Sequence, residues 1–198
     1  MSAASAVFLC SYTNGGAVVI GANGATPTSD IRLERVAVRD SGGAGISIGK
    51  NVQRLAILDS AVMSVGASGI QFDGDRTSDV MVNNTFVNDT ARVILGQPGG
   101  IRVKGQRNMT ISYNTVAFNA YAGIMVGWQP GTEAAQQGQL IFDIAHNHVH
   151  DYGMGILSDF GGIYLSSDDN LCFQKQPPMC HLPSYVHHNH MYGDHSDC

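Results

Sequence analysis

Residues 108–127, NMTISYNTVAFNAYAGIMVG, decide the fold. The stretch reads as a short strand rich in β-forming residues, then an Asn-containing turn, then a further short apolar segment. A Gly-Ile pair followed by alternating residues completes it. Strands of three to five residues cannot bury an apolar face by themselves. A segment of this kind is stable only if copies of it stack, so the rest of the chain must be searched for repeats.

Working outward, the copies are there. They are DIRLERVAVRDSGGAGISIG (30–49), VQRLAILDSAVMSVGASGIQFDG (52–74) and DVMVNNTFVNDTARVILGQPGGIRVKG (79–105) on the N-terminal side. LIFDIAHNHVHDYGMGILSDFGGIYLS (140–166) and the partial copy SYVHHNHMYGD (184–194) follow. Val36, Val62, Phe86, Val116, Val149 and Met191 align as one core position, and the intervals between them lengthen toward the C-terminus. Ile46, Ile70, Ile101, Ile124 and Ile163 mark the Gly-Ile strand. Stacked about 4.8 Å apart, such strands pair in parallel and fill one core with aligned Ile, Val, Leu and Phe. Gly before each Ile suits a tight corner where a Cβ would crowd the backbone. Asn84, Asn114, Asn147 and Asn189 fall in register just before the Val/Phe/Met strand, with Glu34 and Ser60 in the first copies. Stacked amides can bond from coil to coil and satisfy turn backbone groups that would otherwise be buried unpaired. The expected fold is all-β, a right-handed parallel β-helix spanning 30–198, with 1–29 an irregular segment or first coil. A β-sandwich is the alternative, but Asn-Gly hairpin signals occur only at Asn14 and Asn23, ahead of the repeats.

Composition agrees. Of 198 residues 43% are hydrophobic and only 14% charged, with 24 Gly, a mixture suited to short strands and tight turns rather than long surface helices. The formal net charge of -5 argues against nucleic acid as a partner. No apolar run approaches a membrane span, and the first residues lack the basic start of a secretory signal. Cys172 and Cys180 bracket a short Pro-containing stretch and could form a disulfide or remain thiols. The last repeat stops unfinished, so a longer solenoid is expected beyond it.

These repeats resemble those of the pectate-lyase-like superfamily of right-handed β-helices over roughly residues 30–194. Residues 146–164, with the echo at 187–190, resemble the members grouped with glycoside hydrolases. The resemblance implies a carbohydrate-active protein with a polysaccharide or oligosaccharide partner, working outside the cell or in the secretory pathway. Fold resemblance of this kind says much less about the reaction than about the scaffold.

The chemistry-bearing residues gather late. Seven of the eight His fall at 146–150 and 181–190, and His146 aligns with His188 as His148 does with His190. Because Asn147 and Asn189 belong to the inner ladder, their flanking His rings are expected together on the outside. Glycosidic cleavage needs two carboxyl groups. Asp159, before Gly161–Gly162, is the first candidate, with Asp168 or Asp169 as the second and His148 and His190 positioning substrate. Tyr164 or His148 could serve as the base of a uronate lyase or epimerase, the rival enzymatic reading. That chemistry needs cations, and Arg102, Lys104 and Arg107 lie on earlier coils while Lys175 is the late one. Asp151 reads as a turn residue. Trp128, with Tyr121 and Phe118 near it, could stack on a sugar in a non-catalytic scaffold. The alternation His146-x-His148-x-His150 would point three rings to one side, and Asp168–Asp169 could hold calcium. Neither pattern is specific, so no cofactor and no resident metal are expected.

Overall fold

The computed structural model describes residues 15–21, 26–73, 76–94, 99–104, 106–127, 141–154, 160–166 and 184–193. The chain winds through three strands per turn. An opening strand, β1 (Gly16–Ile20), precedes a first coil of β2 (Thr28–Glu34), β3 (Ala37–Ser41) and β4 (Ala44–Ile48). The next coils are β5 (Val52–Leu58), β6 (Ala61–Val65) and β7 (Ile70–Phe72), then β8 (Ser78–Asn83), β9 (Phe86–Thr90) and β10 (Gly99–Val103). They continue as β11 (Arg107–Ser112), β12 (Thr115–Asn119) and β13 (Ala122–Gly127), then β14 (Phe142–Ala145), β15 (His148–Tyr152) and β16 (Ile163–Ser166). The last described strands are β17 (Tyr185–His187) and β18 (His190–Tyr192).

Every third strand pairs in parallel, which produces three six-stranded sheets running the length of the solenoid. The first sheet is β1-β4-β7-β10-β13-β16, the second β2-β5-β8-β11-β14-β17 and the third β3-β6-β9-β12-β15-β18. Equivalent positions in successive coils lie 24, 25, 29, 33 and 42 residues apart, so the coils lengthen toward the C-terminus. The inward columns are continuous. Ile46, Ile70, Ile101 and Ile124 stack in register with no exposed surface, and burying each contributes about 1.5–3 kcal/mol.

Two of the aligned positions shift on folding. Val62 pairs with Val38, not Val36, and with Val87, not Phe86. Phe86 is 40% exposed and points outward, while Val87 is fully buried. The cause is a two-residue corner between the second and third sheets. Its first residue has positive φ in every described coil: Arg35, Asp59, Asn84, Tyr113, His146 and His188, all between 49° and 58°. Its second residue turns inward: Val36, Ser60, Thr85, Asn114, Asn147 and Asn189. Asn84 is therefore a corner residue bonded outward to Asp59 at 2.7 Å, and Thr85 occupies the ladder position.

The ladder is otherwise as the repeats require. Asn114 Oδ1 accepts from Thr85 N–H, Asn147 Oδ1 from Asn114 N–H, and Asn189 Oδ1 from Asn147 N–H, at 2.9–3.0 Å. The same amides donate to the carbonyls of Val82, Ile111 and Ile144. Each Asn thus supplies an acceptor to a corner N–H that has left the sheet. The Gly-Ile position is explained as well. A Cβ on Gly45, Gly69, Gly100 or Gly123 would overlap Cγ1 of Val62, Val87, Val116 or Val149 on the next coil.

Candidate functional site

The middle of the first sheet is closed on both faces, while Val19 in the same outward column on β1 is 57% exposed. Ser47, Gln71 and Met125 point away from the core yet are 2%, 6% and 1% exposed, and Tyr121, Ala122 and Met125 form a second small apolar cluster with Tyr164 packed against it. An open surface that carries rings lies where the second and third sheets meet. There the corner column Asp59, Asn84, Tyr113, His146, His188 runs beside the outward column Phe86, Thr115, His148, His190 of the third sheet. A shallow groove among Asp59, Asn84, Thr85, Phe86, Tyr113 and Thr115 forms its N-terminal half.

Rings fill the C-terminal half. The coil repeat sets identical register positions at stacking distance, and successive rings lie nearly parallel. Tyr113 stacks on His146 at 4.9 Å and 7°, and His146 on His188 at 5.0 Å and 19°. His148 stacks on His190 at 5.2 Å and 8°, and His150 on Tyr192 at 5.2 Å and 15°. Phe118 meets His150 edge-on. Burial, with the neighbouring His150 and His190 rings, holds His148 below the usual histidine range, so it is neutral at pH 7. Its Nε2 is buried without a hydrogen-bond partner among the described residues.

Two carboxylates reach these rings. Asp151, read from the sequence as a turn residue, lies within β15 at positive φ and bonds His150 Nδ1 at 2.7 Å. Asp143 on β14 bonds His187 Nε2 at 3.1 Å. The expected one-sided trio of His146, His148 and His150 is not formed. His148 and His150 share a face with centroids 4.6 Å apart, but the corner conformation of His146 turns its ring toward His187 and His188. The ring nitrogens of His146, His187 and His188 offer one ligand atom each within 4.8 Å of one another.

Of the residues read as candidates for catalysis, the structure brings His148 and His190 together across β15 and β18. Tyr164 stands on the first sheet, paired with Met125 and 6.1 Å from Tyr121 by ring centroids, and not on the ring-lined corner. Asp159, Asp168, Asp169, Lys175, Trp128, Cys172 and Cys180 lie outside the described residues. Lys104 and Arg102 pair with Asp73 at 2.7 and 3.6 Å beside the first sheet, away from the corner. Sequence reasoning did not single out Asp59, Asn84, Phe86 and Tyr113 as site residues. Placing Asn84 at the corner instead of in the ladder would have found them, since the corner column then reads straight along the repeats. The described residues contain no helix long and apolar enough to cross a membrane.

No curated protein and no solved structure matches the chain. The family model described as right handed beta helix region matches residues 10–174, most of the 198. With three parallel sheets, short corners and an internal Asn ladder on the page, the chain belongs to the right-handed β-helix family.

Proposed function

We propose that the protein binds a polysaccharide or oligosaccharide laid along the corner between the second and third sheets, from Asp59 to His188. The observation that carries this reading is the pair of parallel outward columns. One presents Asn84, Tyr113, His146 and His188 and the other Phe86, Thr115, His148 and His190. Sugars present apolar faces and a rim of hydroxyls, so they are held by flat rings interleaved with amide, hydroxyl and carboxylate groups. Such groups recur here once per coil, at a repeat of about 4.8 Å, close to the length of one sugar unit in an extended chain. A polymer is therefore a better fit than a compact ligand. This partner suits a chain that works outside the cell or in the secretory pathway.

Hydrolysis is the finer proposal. One carboxyl must protonate the leaving oxygen while the other attacks or activates water. Asp159 with Asp168 or Asp169 would supply that pair, and His148 and His190 would position the sugar. His148, being neutral, can accept or donate a hydrogen bond to a hydroxyl without imposing charge.

The test is affinity electrophoresis on neutral and uronic polysaccharides, run with reducing-end release and unsaturated-product absorbance on the same panel. Retardation by at least one polymer, weakened about tenfold (~1.4 kcal/mol) by Tyr113→Ala, is the expected result. Reducing ends without unsaturated product would add hydrolysis, and unsaturated product would replace it with the lyase reading. Absence of retardation on every polymer would overturn the binding proposal.

A further inference from the structure

The geometry points to a divalent transition-metal site at the C-terminal corner, built by His146, His187 and His188 and positioned by Asp143. It is independent of the saccharide reading, since none of its observations involves a sugar.

Three observations converge. The candidate ligand atoms of the three imidazoles lie within 4.8 Å of one another. Metal–nitrogen bonds of about 2.0–2.1 Å need donors about 3–3.4 Å apart, which small rotations of exposed rings supply. His187 Nδ1 and His188 Nδ1 sit 2.7 Å apart, so two donor nitrogens already converge. An ion takes both lone pairs once the ring that carries its proton at Nδ1 carries it at Nε2 instead. His187 Nε2 meets Asp143 Oδ1 at 3.1 Å. With the carboxylate ionised, Nε2 carries the proton and donates it, which leaves Nδ1 as the lone-pair nitrogen facing the cluster. A carboxylate that accepts from the far nitrogen of a ligating His is the usual device for fixing tautomer and ring direction. His146 stacks face to face on His188, so its exposed ring tilts out of the stack for its in-plane lone pair to reach the ion.

The local sequence makes this possible. His146 and His188 are equivalent corner residues, brought one coil apart by the repeat. His187 closes β17 opposite Ala145, whose small side chain leaves the ring free to reach back to Asp143. Three imidazoles with one carboxylate behind them suit zinc, nickel or copper better than calcium or magnesium, which take oxygen ligands. Three protein ligands also leave a coordination position open to water or to a ligand oxygen.

The test is a titration of the tag-free chain with Zn²⁺ by calorimetry, repeated with Co²⁺ by visible absorption. One ion per chain is expected, with Co²⁺ bands of nitrogen ligation. His146→Ala and His188→Ala should each weaken binding at least tenfold. Asp143→Asn should weaken it 10- to 100-fold, and Asp143→Glu should restore most of the loss, which marks Asp143 as a positioning residue. The three His are exposed, so unchanged far-ultraviolet dichroism should accompany each substitution. Absence of one-to-one binding would overturn the site. So would binding insensitive to His146→Ala and His188→Ala, or binding lost on His148→Ala and retained on His146→Ala, which would move the ion to the other ring pair.

Discussion

Asn114 and Asn84 are the same residue type at adjacent positions of the corner, yet one is 1% exposed and serves three partners while the other faces outward. Replacing Asn114 with Ala leaves the Thr85 N–H buried and unpaired and removes the bonds to the Val82 carbonyl and the Asn147 amide. At about 1–3 kcal/mol for the orphaned group and about 1 kcal/mol for each lost bond, Asn114→Ala should lower stability by roughly 2–4 kcal/mol. Asn84→Ala should cost only about 1 kcal/mol, the strain of placing Ala at a φ of 49°. Urea unfolding midpoints of the two variants check this, and equal losses would put Asn84 back in the ladder. The same pair shows what a sequence conceals at this scale. Asn tolerates positive φ as readily as it fills a buried ladder, so the amide alone does not say which of two adjacent corner positions it occupies. The consequence is large, because a one-residue slip exchanges inward and outward side chains. It hid Phe86 and Tyr113 from the site. His146 and His188 were paired correctly because both flank unambiguous ladder Asn residues.

At the scale of strands and corners, the Gly-Ile signal was legible because it has a steric cause that repeats. A Cβ on Gly123 would overlap Val149 Cγ1 and approach the Gly162 carbonyl oxygen to 2.6 Å, whereas one on Gly42 would meet nothing within 4 Å. Gly123→Ala should therefore cost about 1–3 kcal/mol by overpacking, and Gly42→Ala about 0.5 kcal/mol or less. Combining Gly123→Ala with Val149→Ala should cost less than the sum of the single substitutions, since shortening Val149 removes one of the two clashes. Thermal or urea unfolding of the four-member cycle measures this coupling, and strict additivity would refute the packing account. The metal-ligand trio was not legible at this scale. It draws on one strand and two corners from different coils, and the obvious alternation of His146, His148 and His150 pointed to a different grouping. The bond from His187 to Asp143 spans neighbouring strands off register, and no local spacing announces it.

For the whole molecule, the solenoid was legible because each coil repeats the same three-strand plan, and the lengthening of the coils was visible as growing intervals between equivalent residues. Those inserted stretches have no copies to align with. The placement of Asp159, Asp168 and Asp169 therefore could not be inferred from the repeat, and the grouping of Tyr164 with the histidines followed sequence proximity alone. Tyr164 belongs to the first sheet and His148 to the third, and in a coil residues near in sequence can face different sides. The saccharide proposal is a claim about this scale, since it uses one corner across successive coils. Its direct measurement is a calorimetric titration with an oligosaccharide length series, cut from whichever polymer the protein retards. Affinity should climb with each added sugar until the chain covers the corner from Asp59 to His188, about five units at one per coil, and then level off. A disaccharide bound as tightly as a hexasaccharide would contradict the account.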